Sequence, residues 1–531
     1  MSFTDLAFFA FVGVTILAYF VTPKRFRWVT LLVASLAFYW INSGWLLLIL
    51  LATVAVTFGV ALWIEASNKR GKDELAAAGK KLDRAEKKAL RAKAKKRSRR
   101  ILALGVCLVL GALLLLKYYD FFADNAAGLL KPLGITPPHF AFLLPLGISF
   151  YTLQAIAYMT DVFRGKVKAD RNFLKFTLFM SFFPQIVQGP IPRHAQLAKQ
   201  LYEPHDFDYT RLCHGAQLAL WGLFQKMVIA DRLAVPVGQV FENYTQYHGL
   251  MLFVAAAGYG LQVYTDFSGG MDVARGVAQM LGIELELNFK QPYFSTSIED
   301  FWRRWHITLG SWMKNYVFYP LSLSKAFANL SRKSRRFLGD FVGKRLPPIL
   351  AMFTVYFLVG FWHGADWKYI MYGVWNGIFL VAGILLPEQY AKWADKLHID
   401  RESFYWRTLQ IVRTFIICSL GRLFSRGETL EAAWQMFGSI FAEWNNFTWL
   451  SESTRLSLGL TERNWMLLFA AIAVLVWVDR KHEHGIHLRE AIDRQRLPLR
   501  WIIYYGGIAA VFVFGMWGPA FDASSFIYGR F

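Results

Sequence analysis

Apolar stretches of nearly bilayer length recur along almost the whole chain, and this removes most soluble folds from consideration. They lie at 6–22, 28–42, 45–64, 101–116, 141–162, 214–230, 250–265, 347–362, 368–386, 408–420, 464–478 and 501–517. A helix crossing the hydrocarbon core needs about 20 mainly apolar residues. With apolar residues at 55% of 531, one soluble core has no use for so many such runs. The chain therefore reads as an all-α polytopic membrane protein with about a dozen transmembrane or re-entrant helices. Several stretches are short or carry polar groups, and irregular backbone at membrane depth is tolerated only where protein or a cavity surrounds it. The short ones are accordingly expected as broken or re-entrant helices around an internal cavity. Residues 1–64 form N-terminal spans, 65–100 a basic loop, and 101–531 the membrane domain that carries the chemistry.

The net charge of +22 is informative through its placement. The densest run, Lys69 to Arg100, is rich in Ala, Glu and Lys, which favours a solvated helix. Placed in the cytoplasm, it makes the span before it run inward, which puts Lys24-Arg25-Phe26-Arg27 inside as well and the uncharged N-terminus outside. Lys117 to Phe140 then lies outside, and the chain returns to a basic stretch at Arg164, Lys166, Lys168 and Arg171. A juxtamembrane Lys/Arg helix suits anionic lipid headgroups, so nucleic acid is not expected as a partner. The first span lacks a basic leader region and a small-residue cleavage pattern, and is expected to stay as a helix. Cys107, Cys213 and Cys418 have no CxxC spacing, so no zinc site or disulfide framework is indicated and they read as packing residues.

Between Tyr264 and Gly377, polar and charged residues alternate with aromatic ones at a density no lipid-facing helix carries. Asp266-Phe267-Ser268-Gly269-Gly270-Met271-Asp272 has two carboxylates around a glycine pair. These bind a substrate or satisfy buried helix ends; Ser268 is not in a GxSxG elbow, and small residues there suit close helix packing. In the run from Ser297 to Thr308, Ser297 with Glu299 and Asp300 reads as a helix start. His306 is then expected about two turns in, sharing a face with Trp302, while Phe301 and Trp305 share another. The bland alternative for the Trp and Arg residues is an interfacial anchor. His363 closes the apolar run that begins near Ile349, followed by Gly364, Ala365 and Asp366. An ionisable group near membrane depth is a functional candidate, and imidazole exchanges a proton near neutral pH. Asp366 either orients His363 or caps the next helix. His482-Glu483-His484 with His487 looks metal-like but lacks the HExxH spacing and reads as a solvated basic loop, so no metal site is expected.

The words DFSGGMD, NFKQPYFSTSIEDFWRRWHITLGSWMKNYVFYPL and VGFWHGADWKYIMYGVWNG, in that order, resemble the membrane-bound O-acyltransferase (MBOAT) family. The likeness is strongest to its bacterial branch, which holds alginate O-acetyltransferase membrane subunits and teichoic-acid D-alanyltransferases. It is dense from Tyr264 to Gly377, weaker at Pro184 to Ile191 and architectural before that. The resemblance implies helices around a central tunnel and acyl transfer to a hydroxyl, with His363 catalytic and His306 the second active-site residue. Asp266, Asp272, Arg304, Trp305 and Asp366 are the candidate substrate-binding residues. It further implies no bound cofactor, an acyl donor carried as a phosphopantetheine thioester (acyl-CoA or acyl carrier protein), and an extracytoplasmic accessory protein. Ser525 to Phe531 is similar to the ending of polymer-modifying relatives, apart from Gly529 and Arg530. Gly421-Arg422 stands where the family suggests a tryptophan-containing run. The rival class is a transporter or flippase, but the two halves show no repeat.

Overall fold

In the computed structural model, residues 1–78, 83–134, 137–140, 142–444 and 457–517 are described, and among them the chain is helical almost throughout. A first compact unit comprises Met1–Gly215 and Val277–Glu286. It holds helices α1 (Leu6–Val21), α2 (Arg27–Ser43), α3 (Leu47–Ala77), α4 (Arg84–Leu130), α5 (Ile148–Phe163), α6 (Phe173–Ser181), α7 (Phe183–Ile186) and α8 (His194–Tyr202). Among the described residues the basic run is helical, forming the end of α3 and the start of α4 instead of a separate element. Asp83 and Glu86 cap α4 reciprocally, Ser67 and Ser98 hydrogen bond at 2.9 Å, and Arg97 reaches Glu74 at 3.2 Å. The span expected from residue 141 starts at Ile148. Gly147 before it has φ +69°, and a Cβ there would collide with the Ile186 carbonyl, so the chain turns at this glycine before entering α5.

The second unit, Ala216–Gly276 with Leu287–Phe531, carries the polar motifs. Helix α9 (Tyr209–Leu223) continues through a π-helical segment, Phe224–Ala230, into α10 (Asp231–Glu242); α11 spans Leu250–Met280. Short helices α12 (Ile298–Arg304), α13 (Ile307–Met313) and α14 (Tyr319–Ser322) precede α15 (Lys325–His363), which kinks at Gly339 where φ is +75°. Then follow α16 (Trp367–Leu385), α17 (Pro387–Lys396), α18 (Phe404–Arg426), α19 (Leu430–Ala442), α20 (Glu462–Glu483), α21 (Leu488–Asp493) and α22 (Leu497–Phe514).

The chain is thus an all-α polytopic membrane protein. Among the described residues six helical segments are long and apolar enough to cross a bilayer, two of the expected stretches merging within Lys24–Ala77. Their settings differ. Within its most apolar stretch α11 is 61% buried, so protein surrounds it, whereas α22 is only 6% buried and presents its apolar residues outward. Cys418 is buried as expected for packing, but Cys107 is exposed.

Helices α15 and α16 form an antiparallel hairpin brought unusually close by Gly360 and Gly373. A Cβ on Gly360 would collide with the Tyr369 carbonyl, and one on Gly373 with the Tyr356 carbonyl. Small residues let backbones approach where lipid supplies no hydrophobic drive for association. Gly383, on the same α16, has open space around it. Replacing Gly360 or Gly373 by valine is therefore expected to cost about 1–3 kcal/mol through overpacking. Gly383→Ala should be near neutral; thermal unfolding of the detergent-solubilised variants compares them.

Candidate active site

His363 is the last residue of α15, and it is 6% exposed. The helix stops there because Gly364 adopts extended backbone, and α16 restarts two residues later with Asp366 as its N-cap, accepting the Lys368 N–H at 2.9 Å. Of the two roles open to Asp366, the structure gives it the cap. Held at the tip of the hairpin, His363 lines a small cavity of ≈ 20 Å³ with Tyr259 and Val263 of α11, Tyr369 and Tyr372 of α16, and Arg422 and Ser425 of α18. That volume accommodates about one water molecule or a group of a few atoms.

His306 is 1% exposed but does not sit within a helix. Helix α12 starts at Ser297 as expected, the Ser297 hydroxyl accepting the Asp300 N–H at 3.1 Å, but it ends at Arg304. Trp305 then turns extended and bridges Phe289, with Lys290 N–H donating to the Arg304 carbonyl at 2.9 Å and Ile307 N–H to the Asn288 carbonyl at 3.0 Å. His306 takes left-handed backbone, φ 47°, and precedes α13. The expected Trp302/His306 helical face is therefore corrected: pairing with the 288–290 segment outcompetes continuation of the helix. Phe301 and Trp305 do meet, stacked at 5.3 Å between centroids.

Asn288 organises this turn. Its Oδ1 accepts the Thr308 N–H at 2.9 Å and the Thr308 hydroxyl at 3.0 Å, which fixes which way the amide points. His306 Nδ1 lies 3.3 Å from the same oxygen, so Nδ1 carries the proton and Nε2 the lone pair. The imidazole packs edge-on to Phe267 at 4.9 Å. Trp362 contacts both histidine rings, at 5.8 Å from His306 and 5.1 Å from His363.

The remaining candidates divide clearly. Trp305, 1% exposed, carries the Arg422 guanidinium over its ring at 4.6 Å and so belongs to the cavity wall's second layer. Arg304 is held away from the cavity by Glu483, at 2.6 and 3.3 Å, and by Asp300 at 3.1 Å. Glu483, the last residue of α20, also meets Arg407 and is held there, while His484 to His487 are exposed between α20 and α21, as expected of a solvated loop. Asp266 and Asp272 were expected at buried helix ends or on substrate; both lie inside the continuous α11, because the glycine pair serves packing and not a break. A Cβ on Gly269 would sit 2.6 Å from the Gly222 carbonyl. Asp266 pairs with Lys226 at 2.6 Å, and Lys226 also reaches Asp231 at 2.7 Å. Asp272 accepts from Gln225 at 3.1 Å and Arg275 at 2.9 Å. These carboxylates balance buried cations in a setting where an uncompensated charge is expensive.

Sequence reasoning did not assign Tyr259, Tyr369, Tyr372, Arg422 or Ser425 to the site. Arg422 carried a visible signal, a charged residue inside an apolar helix, but the cavity it enters is made from three segments far apart in the chain. The segment Ser525 to Phe531 lies outside the described residues.

Comparison with known proteins places this geometry in context. Residues 164–424 match the model of the MBOAT, membrane-bound O-acyltransferase family. A probable alginate O-acetylase of Pseudomonas syringae pv. tomato is 31% identical over 88% of this chain and 80% of its own length. The peptidoglycan O-acetyltransferase of Helicobacter pylori is 30% identical over 81% of this chain and 77% of its length. The teichoic acid D-alanyltransferase of Streptococcus thermophilus is 28% identical over 48% of this chain and 60% of its length.

If Asn288 holds the His306 turn, Asn288→Ala removes the shared acceptor of the Thr308 N–H and hydroxyl. The expected cost of losing this acceptor is about 1–3 kcal/mol. Chemical denaturation in micelles should show a lower midpoint for this variant, with a smaller loss for Thr308→Val, which removes only the hydroxyl.

Proposed function

The chain belongs to the membrane-bound O-acyltransferase family and is an O-acyltransferase, and from that premise we propose that it moves an acetyl group from a thioester donor to a hydroxyl of a cell-surface polysaccharide. The observation that carries the chemistry is His363, an imidazole at the tip of the α15–α16 hairpin and lining a buried cavity with polar and aromatic walls. Acetyl is favoured over D-alanyl because the O-acetylating relatives align along 81% and 88% of this chain, against 48% for the D-alanyltransferase.

In this mechanism His363 accepts the acceptor hydroxyl's proton as the oxygen attacks the acyl carbon, and returns it to the departing thiolate. General-base help of this kind contributes about 10²–10⁴-fold in rate. His306, its Nδ1 proton engaged by Asn288, keeps a lone pair at Nε2 and orients the acceptor. Neither role calls for a bound cofactor.

The donor is proposed as acyl-CoA or an acyl carrier protein, arriving from the cytoplasm. Support comes from a surface recess of ≈ 620 Å³ on the basic first half of α15, lined by Ala328, Ser331, Arg332, Arg335 and Arg336, which suits phosphates or an acidic carrier. The charge pattern supports the bacterial inner membrane with the N-terminus outside and the 65–100 segment cytoplasmic, against anionic lipid. An extracytoplasmic accessory protein is proposed as a further partner.

The deciding experiment measures acetyl ester on cell-surface polymers by mass spectrometry at matched membrane levels. His363→Ala should abolish one ester and His306→Ala should reduce it severely. Unchanged ester in His363→Ala, in a strain without other acyltransferases, would overturn the reading. In membranes supplied with acetyl-CoA, replacing Arg332, Arg335 and Arg336 together by glutamine should raise the donor KM several-fold and flatten its salt dependence; an unaltered KM would move the donor elsewhere.

A further inference from the structure

Arg422 is 4% exposed, lies in the interior of α18, and lines the same small cavity as His363. Its guanidinium rests 4.6 Å from the Trp305 centroid and 5.4 Å from that of Tyr372. Tyr372 also meets the His363 ring, at 6.1 Å. One aromatic residue therefore touches both the imidazole and the guanidinium. The guanidinium lies over the Trp305 ring and hydrogen bonds Tyr293 and Tyr372 from its edge, and with five N–H donors in all it has more than these two bonds use. Arg422 is further placed by its helix: it shares the cavity-facing side of α18 with Ser425, three residues on.

We propose that Arg422 binds the carbonyl oxygen of the acyl donor and stabilises it as it becomes an oxyanion, opposite the proton transfer performed by His363. This assignment rests on the acyl-transfer reading above and adds to it the group that carries the transition-state charge. The cavity's size suits an acyl carbonyl: ≈ 20 Å³ accommodates an oxygen and its neighbouring atoms.

The electron count closes. The acceptor oxygen forms a bond to the acyl carbon as its proton passes to His363, and the carbonyl π pair moves to the oxygen held by Arg422. The pair then returns, the C–S bond breaks, and the thiolate leaves with the proton from His363. A preorganised cation in a water-poor site is suited to this step because it need not reorganise as charge develops.

The test uses the purified full-length protein in nanodiscs with p-nitrophenyl acetate and its thiono analogue, whose carbonyl oxygen is sulfur, and a soluble uronate oligosaccharide as acceptor. Sulfur is a poor hydrogen-bond acceptor, so an oxyanion donor contributes little to the thiono reaction. Arg422→Gln should lower kcat with the oxygen ester by about 10²–10³-fold at nearly unchanged KM, and by less than about tenfold with the thiono ester, so that the wild-type preference for oxygen collapses. Arg422→Lys, which keeps the charge but loses the fork, should fall between. Equal losses with both esters would assign Arg422 a packing role and overturn the proposal, as would a loss below about tenfold with the oxygen ester. His363→Ala run alongside separates the two claims: full transfer there ends the general-base reading, whereas an inactive His363→Ala beside an active Arg422→Gln ends only the Arg422 assignment.

Discussion

The site depends on the contact between α15 and α16 at Gly360 and Gly373. In lipid, apolar side chains gain little by leaving their surroundings, so two helices are held by how closely their backbones approach. The glycine pair sets that approach, and the turn through Gly364 to the Asp366 cap then fixes where α15 must end. His363 is placed by this geometry. Tyr369 and Tyr372, on the partner helix, reach the same cavity only because the two backbones are this close.

Around that hairpin, the second unit handles its polar groups by strict pairing. Lys226 sits between Asp231 and Asp266, and Gln225 bonds both Ser268, at 2.5 Å, and Asp272. These contacts gather at the π-helical segment following α9, where the extra residue per turn shifts Gln225 and Lys226 toward α11. The charged residues of the DFSGGMD word are thereby spent on holding α11 in place. The polar groups that face the cavity come from elsewhere: an imidazole, three tyrosines, a serine and a guanidinium.

Much of this was legible in the residues, for reasons that are local. Among the described residues most of every apolar stretch falls on helix, the one from 141 only from Ile148 on, since hydrocarbon forces the backbone to satisfy itself within a segment. Ser297 capping α12 and Asp366 capping α16 follow from side-chain chemistry at fixed offsets. His363 stood out as an ionisable group at the end of a span. The failures are equally specific. Continuing α12 through His306 overlooked Asn288, seventeen positions before Trp305, whose segment pairs with the chain there and ends the helix. Expecting Asp266 and Asp272 at helix ends overlooked that α11 runs on through the glycine pair, whose small residues pack closely on Gly222 as their size suggests.

The sequence by itself determined that this chain lives in a bilayer as helices, which family it resembles, and which histidine to test, because those properties reside in composition, in runs of about 20 residues and in words of contiguous residues. The tertiary structure alone decided which polar groups balance one another and which face the cavity. Arg422 and Trp305 lie over a hundred positions apart, and neither carries a local signal for the other. Whether a buried cation serves as a structural counter-charge, as Lys226 does, or lines a site, as Arg422 does, depends on what packs against it, and packing is a property of the folded chain.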